Sequence, residues 1–188
     1  MKDIDRSVFD QILGKGEEII DCIKPNKVRY IWLNLLAIFL FSLLIFGIPF
    51  ILIFFGLAAE ADEGIIPAIG LAVVFGLILI VSIIVLFVGY KKVVYCYTNK
   101  RIIIRSGIIG IDYKTLDYEL IGGISVNVGL FDKMMKENTG TISFASAAVR
   151  VTNGSGATPY VFHGVDKPYE LYKKIKDVFD NFKETKYL

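Results

Sequence analysis

Two uncharged stretches constrain this 188-residue chain more than any other feature. Ile31 to Leu57 is 27 residues without a charge, and Ile65 to Tyr90 is another 26. Each exceeds the ~20 apolar residues needed to cross a hydrocarbon core, and neither suits a water-exposed helix. The seven residues between them, Ala58 to Gly64, carry Glu60, Asp62 and Glu63 and no base. Hydrophobic residues make up 54% of the chain, above the ~45–50% of an ordinary soluble domain, and the excess sits in these two runs. A wholly soluble protein, a disordered chain and a disulfide-stapled secreted mini-protein are all excluded. The implied organisation is an N-terminal segment (1–30), a first transmembrane helix (31–57), an external connector (58–64), a second transmembrane helix (65–90) and a polar module (91–188).

Charge sets the expected orientation. Lys24, Lys27 and Arg29 crowd the start of the first span, Lys91 and Lys92 close the second, and the connector is acidic. Topology follows the Lys/Arg asymmetry at span ends, so both termini are expected in the cytoplasm and the connector outside. Tyr30, Trp32 and Tyr90 sit where an interfacial aromatic belt belongs. A cleaved signal peptide is a poor reading of the first span, because its apolar region runs only about 7–15 residues. The spans hold no ionisable group and few polar ones (Asn34, Ser42, Ser82), which reads as an anchor rather than an ion path. Gly47-Ile48-Pro49 predicts a kink, since proline removes a helix hydrogen bond. Gly70 and Gly76 suit either close helix approach or plain packing.

The module 91–188 carries fifteen bases and ten acids, a net of +5. Val93–Thr98 is β-branched and aromatic, Asn99-Lys100 can turn, and Arg101–Arg105 reads as the return strand before Ser106-Gly107. Further strands are expected near Tyr113–Tyr118, Ile124–Val128, Thr141–Ser146, Ala148–Thr152 and Tyr160–His163, separated by Gly- and Asn-rich turns. About seven short strands at this spacing predict an antiparallel barrel or sandwich. One helix closes the chain: Leu171, Ile175, Val178 and Phe182 recur at helical steps, with Asp166 and Pro168 at its start. The fold class is therefore α+β with a membrane part.

The stretch Tyr95–Ile108, read as YCYTNKRIIIRSGI, resembles the signature of bacterial pleckstrin-homology domains of the membrane-anchored type. Weaker matches follow in order. Lys114-Thr115-Leu116 precedes Ile121 and Ile124, Gly140–Phe144 resembles the family's Gly-Thr-Ile strand, and Phe162 to Leu171 resembles the entry to its last helix. Gly16–Ile20 and Lys24-Pro25 resemble the segment placed before the paired spans. The resemblance implies a PH-like barrel or sandwich capped by one C-terminal helix, in a multi-pass protein of the cell inner membrane. It also implies an interaction module that binds protein partners or itself, with no assigned reaction. Eukaryotic relatives hold phosphoinositide headgroups on a basic first hairpin, and Lys100, Arg101 and Arg105 lie on that hairpin here. Ile103 occupies the slot where that pattern wants a base. Period two places Arg101, Ile103 and Arg105 on one face, which reads as a solvated strand face that touches anionic lipid at most.

The inventory of chemistry is short, and no enzyme, cofactor, metal or catalytic residue is expected. His163 stands without a second ligand at metal spacing. Gly123–Asn127 lacks the last glycine of a nucleophile elbow, and Gly154-Ser155-Gly156 lacks the Lys of a phosphate loop. Cys22 and Cys96 are expected to stay reduced in a cytoplasmic setting. Asp112, Asp117 and Glu119 read as solvent faces of a strand. A net of +5 spread along the module is not the dense basic stripe of a nucleic-acid binder. Ile108, Ile109 and Ile111, after Gly107, are the expected protein contacts; Lys100, Arg101 and Arg105 are the alternative, anionic-lipid contacts. Val8, Phe9, Ile12 and Leu13 form an apolar cluster of helical spacing, able to lie on the membrane or pack on the module.

Overall fold

The computed structural model describes residues 7–47, 51, 65–108, 110–134, 138–146 and 160–187. The chain divides into two compact units, Met1–Arg29 with Lys92–Leu188, and Tyr30–Lys91.

The second unit is helical. Helix α2 (Lys27–Ser42) runs into a π-helical turn at Leu43–Gly47, and α3 spans Ile65–Lys92. Lys27–Gly47 and Ala72–Lys92 are each long and apolar enough to cross a membrane. Within the unit, Tyr30 meets Tyr90 with ring centroids 5.4 Å apart, and Phe46 meets Phe75 at 5.3 Å. The few polar side chains satisfy themselves locally: Asn34 donates to the Tyr30 carbonyl, Ser42 to Phe39 and Ser82 to Ile78. That leaves no polar side chain among these three asking for water or a partner. Most of the remaining surface is bare hydrocarbon, with Phe41 68% and Leu44 65% exposed. A Cβ added at Gly70 or Gly76 would meet nothing within 4 Å among the described residues. Ile48-Pro49, where a kink is expected, lies outside the described residues, as does the connector 58–64.

The first unit holds two antiparallel sheets. Strands β1 (Ile19–Ile23), β2 (Val94–Thr98), β3 (Arg101–Ser106) and β4 (Asp112–Asp117) form one, in the order β1-β2-β3-β4. Strands β5 (Ile121–Asn127), β6 (Thr139–Ser146) and β7 (Val161–Asp166) form the other, in the order β5-β6-β7. A short 3-10 turn, Tyr118–Leu120, carries the chain from β4 to β5. The two sheets do not join into the closed barrel that one sequence alternative allowed; among the described residues β4 and β5 are consecutive but unpaired. The expected strand at Ala148–Thr152 lies outside the described residues. Strand β1 is absent from the sequence reading, because IIDCI is short and its partner lies far along the chain.

Helix α5 (Pro168–Tyr187) is the closing helix. Pro168 occupies its first turn, where a missing N–H costs nothing. Leu171, Ile175 and Phe179 are buried along one stripe, and the Lys and Asp residues fall on the others. Tyr118, fully buried, takes the edges of Phe179 and Phe182 at 5.8 and 5.5 Å. Tyr95 stacks on Phe162 at 4.8 Å, and Phe162 in turn meets Phe144 at 4.9 Å. These contacts build the core on one face of the first sheet.

The opposite face is covered too. Helix α1 (Ser7–Asp10) places Phe9, 0% exposed, against Val94, Cys96 and Ile103, with Ile12, Leu13 and Tyr113 packed around it. The N-terminal apolar cluster thus packs on the module. Every residue of β2 is buried as a result. The Arg101-Ile103-Arg105 face is not solvated, contrary to its alternating pattern: Ile103 is 0% exposed. Period two finds which residues share a face, but not what a distant segment lays over it.

Phe9→Ala in the full chain should lower unfolding stability by about 3–5 kcal/mol, as deletion of a buried aromatic does. Tyr169→Ala, at a 60% exposed position, should stay within about 0.5 kcal/mol. Denaturant titration in detergent micelles checks both, and equal effects would refute the packing of α1.

Candidate functional site

The antiparallel register divides the first sheet into two ends. Ile19 pairs with Thr98, and Arg101 with Asp117, at one end. Ile23 pairs with Tyr95, Val94 with Arg105, and Ser106 with Asp112 at the other. The chain leaves β1 and re-enters at β2 from this second end, and the β3–β4 loop belongs to it. The Asn99-Lys100 turn sits at the first.

At the turn end, a buried ion pair holds the N-terminal segment. Arg101 donates through Nε to Glu17 Oε1 at 2.8 Å and through Nη2 to Oε2 at 2.8 Å, a bidentate geometry. The Glu17 side chain is 2% exposed and that of Arg101 22%. Arg101 also donates to the Ile12 carbonyl, and the Gly14 N–H donates to Glu17. Thr98, fully buried, donates its hydroxyl to Glu17 while accepting the Lys100 and Arg101 N–H groups that form the turn. Burial alone would raise the Glu17 pKa. Hydrogen bonds from Arg101, Gly14 and Thr98, with the Arg101 charge, overcome it and hold the carboxyl below its ordinary value. Nearby, Tyr118 donates to the Thr98 carbonyl at 2.7 Å, and its burial pushes the phenol far above the usual range.

Lys100 donates to the Lys15 carbonyl, and Asn99 bridges the Gly16 carbonyl and the Glu18 N–H. Two of the three expected lipid-contact residues are therefore engaged with residues 12–18. The third, Arg105, is at the opposite end and half-buried, its Nε buried without a hydrogen-bond partner. The structure does not bring the three basic groups together. A cleft of about 450 Å³ beside the turn is lined by Ile20, Asn99, Lys100, Val178, Asn181, Phe182 and Thr185.

At the other end, a second buried pair ties down the segment that follows β1. Asp132, on the short helix α4 (Leu130–Met134), is 1% exposed and accepts from Arg29 Nε and Nη2. It also accepts from the Thr139 hydroxyl at 2.6 Å and the Gly129 N–H at 3.1 Å. Burial pushes its pKa up, but Arg29 and Thr139 outweigh that and hold the carboxyl below the usual carboxylate value. Gly164 has φ +64 and no room for a side chain, since an added Cβ would come within 2.7 Å of Arg29 Nη1. Asn26 completes the seam with its N–H on the Gly164 carbonyl and its amide on Asp166.

The β3–β4 loop shows its apolar side chains: Ile108 and Ile111 are each 49% exposed, and Ile109 lies outside the described residues. Lys92 donates its ammonium to the Ile108 carbonyl. His163, on β7, has its pKa kept below the ordinary value by desolvation of its ring and by the Arg29 charge. Among the described residues no group of three His, Cys, Asp or Glu could hold a metal ion.

Cys22 and Cys96 are joined in a disulfide, which corrects the expectation of two free thiols. Strand β1 sets Cys22 directly opposite Cys96, with Cα atoms 4.1 Å apart. Their separation of 74 residues in sequence hides that proximity. Sequence reasoning likewise missed Glu17, Asp132 and Thr139, because their value comes entirely from partners 84, 103 and 7 residues away. The only local signal was an acid beside the Gly14–Gly16 turn.

The sequence matches the model of the bacterial PH domain over residues 28–178. No curated protein and no solved structure matches the chain. The family match begins after β1, so the segment carrying Phe9, Glu17 and Cys22 lies outside it.

The depressed carboxyls make stability depend on pH. Each contributes above its unfolded pKa, near 4.5 for Glu17 and 3.8 for Asp132, and loses that contribution as pH falls through the lower folded value. Thermal melts from pH 7 downward should therefore drop steeply below pH 4.5, and Glu17→Gln should flatten the drop. Arg101→Met, which strands a buried carboxylate, should cost about 3–5 kcal/mol at neutral pH. A variant as stable as the parent would show that the pair does not hold the segment.

Proposed function

The chain belongs to the bacterial PH domain family, and from that membership we propose a membrane-anchored interaction module that binds a protein partner or a second copy of itself at the bilayer surface. One observation carries the reading. The two apolar helices are inserted between β1 and β2, neighbouring strands of one sheet. A membrane-spanning pair at that position tethers the PH-like unit by two chain connections rather than one. Lys24, Lys27 and Arg29 before the first helix, and Lys91 and Lys92 at the end of the second, favour a cytoplasmic unit and cytoplasmic termini in the inner membrane; the Cys22–Cys96 disulfide argues the other way, since such bonds persist in oxidising compartments and are rare in the cytosol.

Leu130 is 80% exposed and Tyr169 60%, and the loop with Ile108 and Ile111 is a further apolar place. Headgroup recognition at the turn is the weaker reading, because Arg101 is already neutralised by Glu17 and Lys100 is bound to Lys15.

A photo-crosslinking amino acid placed at Leu130 and at Tyr169 of the full chain, in native membranes, should yield a discrete adduct with a protein or a second copy. Neither position giving a protein adduct would overturn the protein-binding reading. Protease treatment of sealed inside-out vesicles should remove the PH-like unit, and protection there would reverse the proposed orientation.

A further inference from the structure

Residues 7–23 precede the stretch matched to the family, yet they are fastened to strands that the match includes. Among the described strands, β1 pairs with β2 alone and so forms an edge of the sheet. Its ladder is short. The register shifts between Ile19 and Asp21, which leaves Asp21, Cys22 and Ile23 opposite Tyr97, Cys96 and Tyr95 as the uninterrupted run. The Cys22–Cys96 disulfide sits in the middle of that run, a covalent tie between a weakly laddered strand and the sheet.

The two cysteines are not equally accessible. Cys96 is fully buried and shares a cluster with Phe9, itself 0% exposed, while Cys22 is half-buried at the edge of that cluster. Ile12 and Leu13 extend the apolar cover, and the Tyr113 hydroxyl donates to the Val8 carbonyl at 3.1 Å beside it. The species that attacks a disulfide is a thiolate. Bringing that charge into an apolar cover is costly, so exchange waits for α1 to lift.

We propose that the Cys22–Cys96 disulfide is a thiol-sensitive latch on the N-terminal segment, and that Phe9 is the gate limiting how fast a thiol reaches it. The reductant is a small thiol. Its thiolate attacks Cys22 Sγ, the S–S bond breaks, and the electron pair leaves on Cys96 Sγ, which takes a proton from water. A second thiolate attacks the sulfur of the first, and the bond to Cys22 breaks in turn. Cys22 Sγ keeps that pair and is protonated, and the two small thiols depart as one disulfide. The cystine gains two electrons and the two thiols lose them; a small disulfide as oxidant runs the exchange backwards. With the bond open, Phe9 and the Glu17–Arg101 pair still hold the segment, so it opens locally rather than leaving. The latch does not depend on the orientation proposed above: the compartment that the unit faces sets which state prevails.

The test uses the full chain in detergent micelles, oxidised with glutathione disulfide and then treated with dithiothreitol, with hydrogen exchange read by mass spectrometry. On reduction the β1 amides should exchange roughly thirtyfold faster or more, the low end of what losing a disulfide does, while those of α5 stay unchanged. Cys22→Ser should show the fast β1 exchange with or without dithiothreitol. Alkylation of the freed thiols times the reduction itself. Phe9→Ala should be reduced about tenfold faster than the parent, because its cover opens more often, and Tyr169→Ala at the parent's rate. Phe9→Leu replaces Phe9→Ala if circular dichroism shows the latter unfolded. Free thiols that persist after oxidation, in the parent and in the Phe9 variant alike, overturn the pairing. β1 amides that exchange alike in both redox states overturn the latch. So does acceleration of β1 and α5 together, since the bond is then a staple of the whole unit. A Phe9 variant reduced no faster than the parent overturns the gate.

Discussion

The pairing of β1 with β2 is the contact on which the rest of the PH-like unit depends. Ile19–Ile23 must find Val94–Thr98 across an insertion of some seventy residues. A flexible loop of that length would charge the pairing a substantial closure entropy. The helical unit removes most of it, because Tyr30 and Tyr90 are side by side within that unit. The ends of the insertion arrive already close together, and the effective loop is only the few residues on either side. Once β1 is in place, the disulfide between Cys22 and Cys96 locks the register.

Strand β1 also brings the N-terminal segment onto the outer face of the sheet. Phe9 covers Cys96 and Ile103, while Glu17 neutralises Arg101 at the turn. A buried ion pair of this type adds little stability in itself, since desolvation offsets most of its attraction. Its consequence is geometric. The bidentate fork admits one alignment of the segment, and the Thr98 hydroxyl joins that carboxylate to the backbone of the β2–β3 turn. The pair formed by Arg29 and Asp132 does the same for the residues that lead from β1 into α2, with Thr139 as the second donor. The two carboxylates thus secure the two segments flanking β1.

These internal bonds decide what the surface has left to offer. The basic hairpin that looks available in sequence is occupied, with Lys100 on Lys15 and Arg101 on Glu17. Among the described residues of this unit, Leu130 and Tyr169 are the most exposed apolar side chains, with Ile108 and Ile111 next.

The sequence by itself determined the apolar helices, the β2–β3 hairpin and the closing helix α5. Each follows from a local rule: an uncharged run longer than a bilayer, β-branched and aromatic residues on either side of the Asn99-Lys100 turn, and a 3.6-residue stripe from Leu171 to Phe182. The family resemblance rested on the same local stretch, Tyr95–Ile108. Only the tertiary structure decided that the Arg101-Ile103-Arg105 face is covered, that Cys22 meets Cys96, and that Asp132 pairs with Arg29. Periodicity reports which side chains share a face within one element. It carries no information about which distant segment will cover that face, because such contacts are chosen by packing and charge pairing across scores of residues.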